Sequence, residues 1–181
     1  METFKQATVV LRLAEALKAR GSWAGETHVQ KAVYFLQELL GVPTGFEFIL
    51  YKHGPFSFDL RATLTFMEAE DLIAWQPRNP YGPTLVKGAD ASYLDQKFGD
   101  IANRYQEQIN FVAERLADKS VRELEKLATA LYVTKDQNIE GISRSRQIVA
   151  LKPHIPIAEA NAAVQLIDEL MQARNSLSSL A

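Results

Sequence analysis

THVQKAVYFLQELLGVPTGFEFILYKHGPFSFDLRATLTFMEAEDLI, residues 27–73, is the stretch on which the reading of this chain turns. Thr27 and Gln30 have the T-x-x-Q spacing of a capping box. Val29, Ala32, Val33, Leu36, Leu39 and Leu40 then give a wide apolar helical face, broadened by Tyr34 and Phe35, so this helix is expected to be buried on most sides. Gly41 ends it and Pro43 prevents its continuation. Phe46 to Tyr51 is aromatic and branched, which favours a strand, and Gly54-Pro55 breaks it. Ser57 suits an N-cap, with Asp59 near the positive end of the next helix. Leu60, Leu64, Phe66, Met67 and Leu72 form that helix's buried stripe. Leu72–Trp75 and Thr84–Val86 read as short paired strands around the turn-rich segment 77–83.

Outward from this stretch the chain turns helical. A pattern over Thr3–Arg20 stops at Gly21, with Lys18 and Arg20 suiting the negative helix end. A single stripe from Leu94 to Leu116 predicts one long helix over Ser92–Ala117. Ser120 and Glu123 form a second capping box. Further helices are expected over Ile142–Leu151 and from Pro156 onward, with a frayed tail. Helix, strand, turn, helix and hairpin in this order are the parts of a winged helix-turn-helix. The expected class is α+β and predominantly helical. A winged helix-turn-helix-like N-terminal half (1–88) with a small antiparallel sheet packs on a helical half (89–175), followed by the tail 176–181. No clean linker separates the halves, so 1–181 reads as a single domain.

The 181 residues are 47% hydrophobic, enough for a core, and the formal charge of −2 lacks the basic balance of a strong nonspecific nucleic-acid binder. With no cysteine, disulfides, zinc ribbons and thiol catalysis are excluded. The charged N-terminal pattern is unlike a secretory signal, and no apolar run reaches a transmembrane length, so the expected location is the cytoplasm.

Gln30-Lys31 through Leu36, followed by Lys52-His53-Gly54-Pro55-Phe56-Ser57 and Leu60, resembles the LQKLLYFLQ and GPYS..L signature of the YwgA-like bacterial proteins. It is more distantly similar to the SocA-type antitoxin domain, also called Panacea. Leu151-Lys152-Pro153 before a helix fits the same pattern. The likeness spans residues 5–175 and is densest over 27–73. The chain departs from it with His28-Val29 before Gln30, Phe56 in place of Tyr, and Glu70-Asp71 where a Gly is common. The resemblance implies protein–protein regulation, in a toxin–antitoxin or phage-defence setting, without a cofactor.

The Lys52-His53-Gly54-Pro55 turn has two readings. It either projects Lys52, His53 and Phe56 toward a partner, or Gly54 supplies unusual backbone angles and Pro55 starts the next helix. In a winged helix the helix over 57–71 would enter the major groove. Here Arg61 is its one cation against Asp59, Glu68, Glu70 and Asp71, which opposes phosphate contact and suits a docking face. Between Lys119 and Lys152 seven cations face four carboxylates, densest at Arg144 and Arg146. This is a solvated face, a contact for a nucleic-acid phosphate or an acidic partner, or a route to a homodimer through the acidic helix of a second copy. His28, His53 and His154 share no ligand spacing, no metal is expected, and a hydrolase or transferase would need one of them in a cleft beside a carboxylate. The expected function is binding of a protein partner, a toxin or regulatory target, by occlusion, with no membrane involvement. The expected interface is Lys52, His53, Phe56, Asp59, Arg61, Arg78 and Tyr81, the last a wing-tip anchor. The alternative is a DNA-binding regulator using Arg78, Arg144 and Arg146.

Overall fold

The computed structural model describes residues 2–79, 82–135 and 143–178. Helix accounts for 65% and strand for 8%, so the class is α+β with helix predominating. The helices are α1 (Thr3–Ala19), α2 (Glu26–Glu38), α3 (Phe58–Ala69), α4 (Ser92–Arg104), α5 (Gln106–Leu116), α6 (Val121–Lys135), α7 (Arg144–Leu151) and α8 (Ile157–Ser178). The strands are β1 (Ile49–Tyr51), β2 (Gly54–Phe56), β3 (Ile73–Gln76) and β4 (Thr84–Lys87). One hydrophobic core runs through both halves, from Leu13, Leu17, Phe35 and Leu60 to Ile109, Leu131 and Ile167. Among the described residues no helix is long and apolar enough to cross a membrane.

The expected single small sheet is two separate antiparallel hairpins, β1–β2 and β3–β4. In the first, Ile49 faces Phe56, Leu50 faces Pro55 and Tyr51 faces Gly54, leaving Lys52-His53 as a two-residue turn. Gly54 takes φ +83, the left-handed region that glycine enters without strain. Pro55 does not start the next helix. It lies in β2, and a two-stranded hairpin tolerates its missing N–H at an edge. The cap is Ser57, whose Oγ accepts from the Leu60 amide at 3.1 Å. After α3, Asp71 adopts φ +51. This is the place where the resembled pattern commonly has Gly.

Two helix expectations need correction. Thr27 and Gln30 do not form a capping box, because α2 begins at Glu26 behind Gly25. Gln30 is fully buried and works at long range: its Oε1 accepts from Ser57 N at 3.0 Å and its Nε2 donates to Ser57 O at 2.9 Å. Gln37, two turns later on the same face, brackets Phe46 identically, at 3.0 and 2.9 Å. The segment after α2 is thus held by two side-chain amides acting as surrogate backbone. Gln30→Leu leaves the buried Ser57 N–H unpaired, while Ser57 O keeps its bond from Arg61 N at 3.2 Å, and is expected to cost about 1–3 kcal/mol in urea unfolding. Retention of wild-type stability would show the bracket to be dispensable. The second correction is at Tyr105, whose φ −108 and ψ 18 break the expected long helix into α4 and α5. The Ser120/Glu123 box does form: Glu123 Oε2 accepts from Ser120 N at 2.8 Å.

Candidate functional site

The β1–β2 turn is fastened from below by two buried ammonium groups. Lys31 of α2 donates to Pro55 O at 2.7 Å. Lys152, just past α7, donates to Tyr51 O at 2.5 Å and Lys52 O at 2.7 Å. Burying two cations needs a counter-charge, and Glu125 of α6 supplies it. Its Oε1 lies 3.8 Å from Lys152 Nζ, and all three side chains are more than nine-tenths buried. Gly54 permits this approach, since a Cβ there would sit 3.2 Å from Thr129 Oγ1 on α6.

Two half-exposed imidazoles close over the same carboxylate. His154 Nε2 is 3.2 Å from Glu125 Oε1 and His53 Nδ1 is 3.9 Å from Oε2. The His154 contact is not aligned as a hydrogen bond, so the buried Oε1 accepts none. Lys52, His53, Arg122, Glu125 and His154 line an open cleft of about 620 Å³. Two of the three histidines therefore meet in a cleft beside a carboxylate, the condition set above for acid–base chemistry. Among the described residues no hydroxyl stands in that lining. His28 is elsewhere, buried, with Nε2 2.8 Å from Leu116 O and Nδ1 3.1 Å from Ser22 Oγ. Among the described residues no group of three His, Asp or Glu side chains is placed to hold a metal ion.

Burial pushes the Lys31 ammonium down to about 8; Glu125 opposes the shift and Lys152 adds to it. An unfolded lysine keeps its proton to about 10.4. Between these values the unfolded chain binds more protons, so stability rises with pH. Above about pH 10 burial of Tyr34, which holds its phenol proton beyond the ordinary range, acts in the opposite sense. Urea unfolding is expected to show a gain of about 2 kcal/mol from pH 8 to 10 that is lost in Lys31→Met. Equal slopes in the two proteins would refute the assignment.

On the outer side of the hairpin lies an aromatic cluster. The Tyr51, Phe56 and Phe58 rings have centroids 5.1–5.8 Å apart. The Arg61 guanidinium lies 4.6 Å from the Phe56 centroid while its Nε donates to Glu26 at 2.7 Å. Tyr51 and Phe58 are each 51% exposed and Ile49 43%, a concentration of apolar surface in one place rather than scattered singly. The exposed side of α3 carries Asp59 and Glu68, and Glu70 and Asp71 follow at its end.

No protein-family model and no curated protein matches the chain. The site rests on its own geometry. Lys52, His53, Phe56, Asp59 and Arg61 gather on the hairpin and the first turns of α3. Arg78 stands apart, its guanidinium 4.4 Å from the Trp23 ring centroid, and Tyr81 lies outside the described residues. Arg144 is engaged by Asp168 through two hydrogen bonds of 2.7 Å, whereas Arg146 is exposed. A second cavity, of about 670 Å³, lies between Trp23, Trp75 and Val121 and shares no lining residue with the charged cleft. Sequence reasoning missed Lys31, Glu125, Lys152 and His154 beneath and beside the turn, and Tyr51 and Phe58 on its outer face. The one local signal was the small-residue run Ala128-Thr129-Ala130 on α6, which lets β2 approach.

Proposed function

We propose that this chain works by binding a protein partner, as an antitoxin-like or otherwise regulatory subunit, through the aromatic face of the β1–β2 hairpin and the start of α3. The observation that carries this reading is the exposed Ile49, Tyr51 and Phe58 cluster flanked by Arg61. Rigid aromatics and arginine are the side chains that dominate binding hot spots. The hairpin beneath is already fixed by buried hydrogen bonds, so docking costs little further ordering. The acidic flank of Asp59, Glu68, Glu70 and Asp71 selects a partner surface with basic groups around an apolar pocket. The chain acts by covering that surface. In this reading the fold is a winged-helix variant, with α2 and α3 as the helix pair and β3–β4 as the wing, turned from nucleic acid to protein.

The test is capture from the source cell by the tagged full chain, at low and high salt, with Tyr51→Ser/Phe58→Ser and Glu68→Lys/Glu70→Lys as comparisons. One protein held stoichiometrically by wild type, lost in the first variant and weakened in the second, is the expected result. Both variants should melt like wild type. Unchanged retention in the aromatic variant would overturn the reading. So would capture of nuclease-sensitive nucleic acid alone, lost on replacing Arg78, Arg144 and Arg146 by alanine.

A further inference from the structure

We infer that the cleft over Glu125 is a binding site for the phosphate group of a small phosphorylated molecule. This goes beyond the partner-binding reading and does not rest on it.

Three separate segments bring donors to one place: Lys52 and His53 from the β1–β2 turn, Arg122 from α6, and His154 from the loop before α8. Beneath them lie Lys31 and Lys152. Against these four cations stand Glu125 and Glu159, the latter accepting from Arg122 at 3.1 Å. The formal balance is +2 with neutral imidazoles, in a chain whose total is −2. A cleft that concentrates one sign of charge draws in the opposite one. Among the described residues Lys52 has no ion-pair or hydrogen-bond partner for its ammonium, which leaves it able to contact a ligand.

Glu125 Oε1 is the second, independent observation. It is buried and receives no hydrogen bond although His154 Nε2 stands 3.2 Å away. A protonated imidazole has two N–H groups on opposite edges. An anion engaging Nδ1 of His154 turns the ring so that Nε2–H aims at Oε1, and binding supplies the bond that the free protein lacks. Four donors reaching the cleft from three segments suit the three terminal oxygens and the roughly −2 charge of a phosphate monoester. The cleft, at about 620 Å³, is larger than a bare ion needs and leaves room for an organic group.

The test is calorimetric titration of the full chain with inorganic phosphate and with phenyl phosphate, against sodium chloride at matched ionic strength. Wild type, Lys52→Ala, His154→Gln and Tyr51→Ser/Phe58→Ser are compared, each first shown to melt normally. Saturable binding of both anions is expected, with phenyl phosphate at least as tight. Loss of one charge-assisted contact should weaken it about tenfold or more in Lys52→Ala and His154→Gln. The aromatic variant should bind as wild type does, so failure here is distinguishable from failure of partner binding. Absence of saturation at about 20 mM, a concentration marking affinity too weak to matter, would overturn the inference. So would binding indifferent to Lys52 and His154. Binding of inorganic phosphate without phenyl phosphate would overturn the assignment to a phosphorylated molecule.

Discussion

Glu125→Leu is expected to lower the unfolding free energy by about 3–5 kcal/mol, the usual cost of removing one partner from a buried charge group. For a chain of this size that is a fall in melting temperature of about 10 °C. The argument lies in what remains. Lys31 and Lys152 keep their carbonyl acceptors but lose Glu125, the carboxylate placed between them among the described residues. The cost has a ceiling, since a lysine that cannot remain charged releases its proton, which for Lys31, already pushed down to about 8, costs about 1.4 kcal/mol at pH 7. Urea unfolding at pH 7 gives the value. The triple variant Lys31→Met/Glu125→Leu/Lys152→Met should recover most of the loss, because apolar replacement of a whole buried charge group is often neutral. It should not recover slow amide exchange in the hairpin, because three carbonyl anchors are gone. A loss below about 1 kcal/mol for Glu125→Leu would mean the ammonium groups need no counter-charge.

The second large effect is expected at Gly88, just after β4. A Cβ built there would lie 2.0 Å from Asp71 O, 2.5 Å from Asp71 C and 2.9 Å from Ile73 N. All three are backbone atoms, so no side-chain rotation relieves the clash. Gly88 N also donates to Leu72 O at 3.1 Å, and Asp90 N to Asp71 O at 2.9 Å, so separating the strands breaks these bonds too. Gly88→Ala should therefore cost about 3 kcal/mol or more, at the upper end of overpacking effects. Gly99→Ala is the control. It sits within α4 with nothing within 4 Å of a new methyl, and should gain about 0.5–1 kcal/mol from helix propensity. Equal melting of the two variants would contradict the close approach at Gly88.

Much of the fold was legible because it is written in short-range signals. The Ser57 cap, the Ser120–Glu123 box and the stops at Gly21 and Gly41 act within one turn of helix, and they appear where the local pattern places them. Gln30 misled because its amide has two equally good uses. The T-x-x-Q spacing suggests a cap, whereas its partner is Ser57, 27 residues away. The break at Tyr105 was invisible because the apolar spacing through Phe98, Ile101, Tyr105 and Ile109 continues across it. Of the candidate site, the turn was legible and its foundation was not. Glu125 counted in the sequence as one carboxylate among scattered cations, yet its charged neighbours come from positions 31, 53, 152 and 154. No periodicity joins residues so far apart. The proposed docking face was half legible: Phe56 and Arg61 were among the residues expected to meet a partner, whereas Tyr51 was read as part of a strand and Phe58 as part of the helix after the Ser57 cap.

The clamp on the hairpin also sets a clock. Lys152 reaches back 101 residues to Tyr51 O and 100 to Lys52 O. At about 5–20 residues per second, a ribosome needs roughly 5–20 s after making the turn before it makes the lysine that holds it. During that interval the hairpin is made but lacks the Lys152 clamp that fixes its turn. In the proposed reading, the docking face is therefore synthesised well before the lysine that fixes the hairpin beneath it.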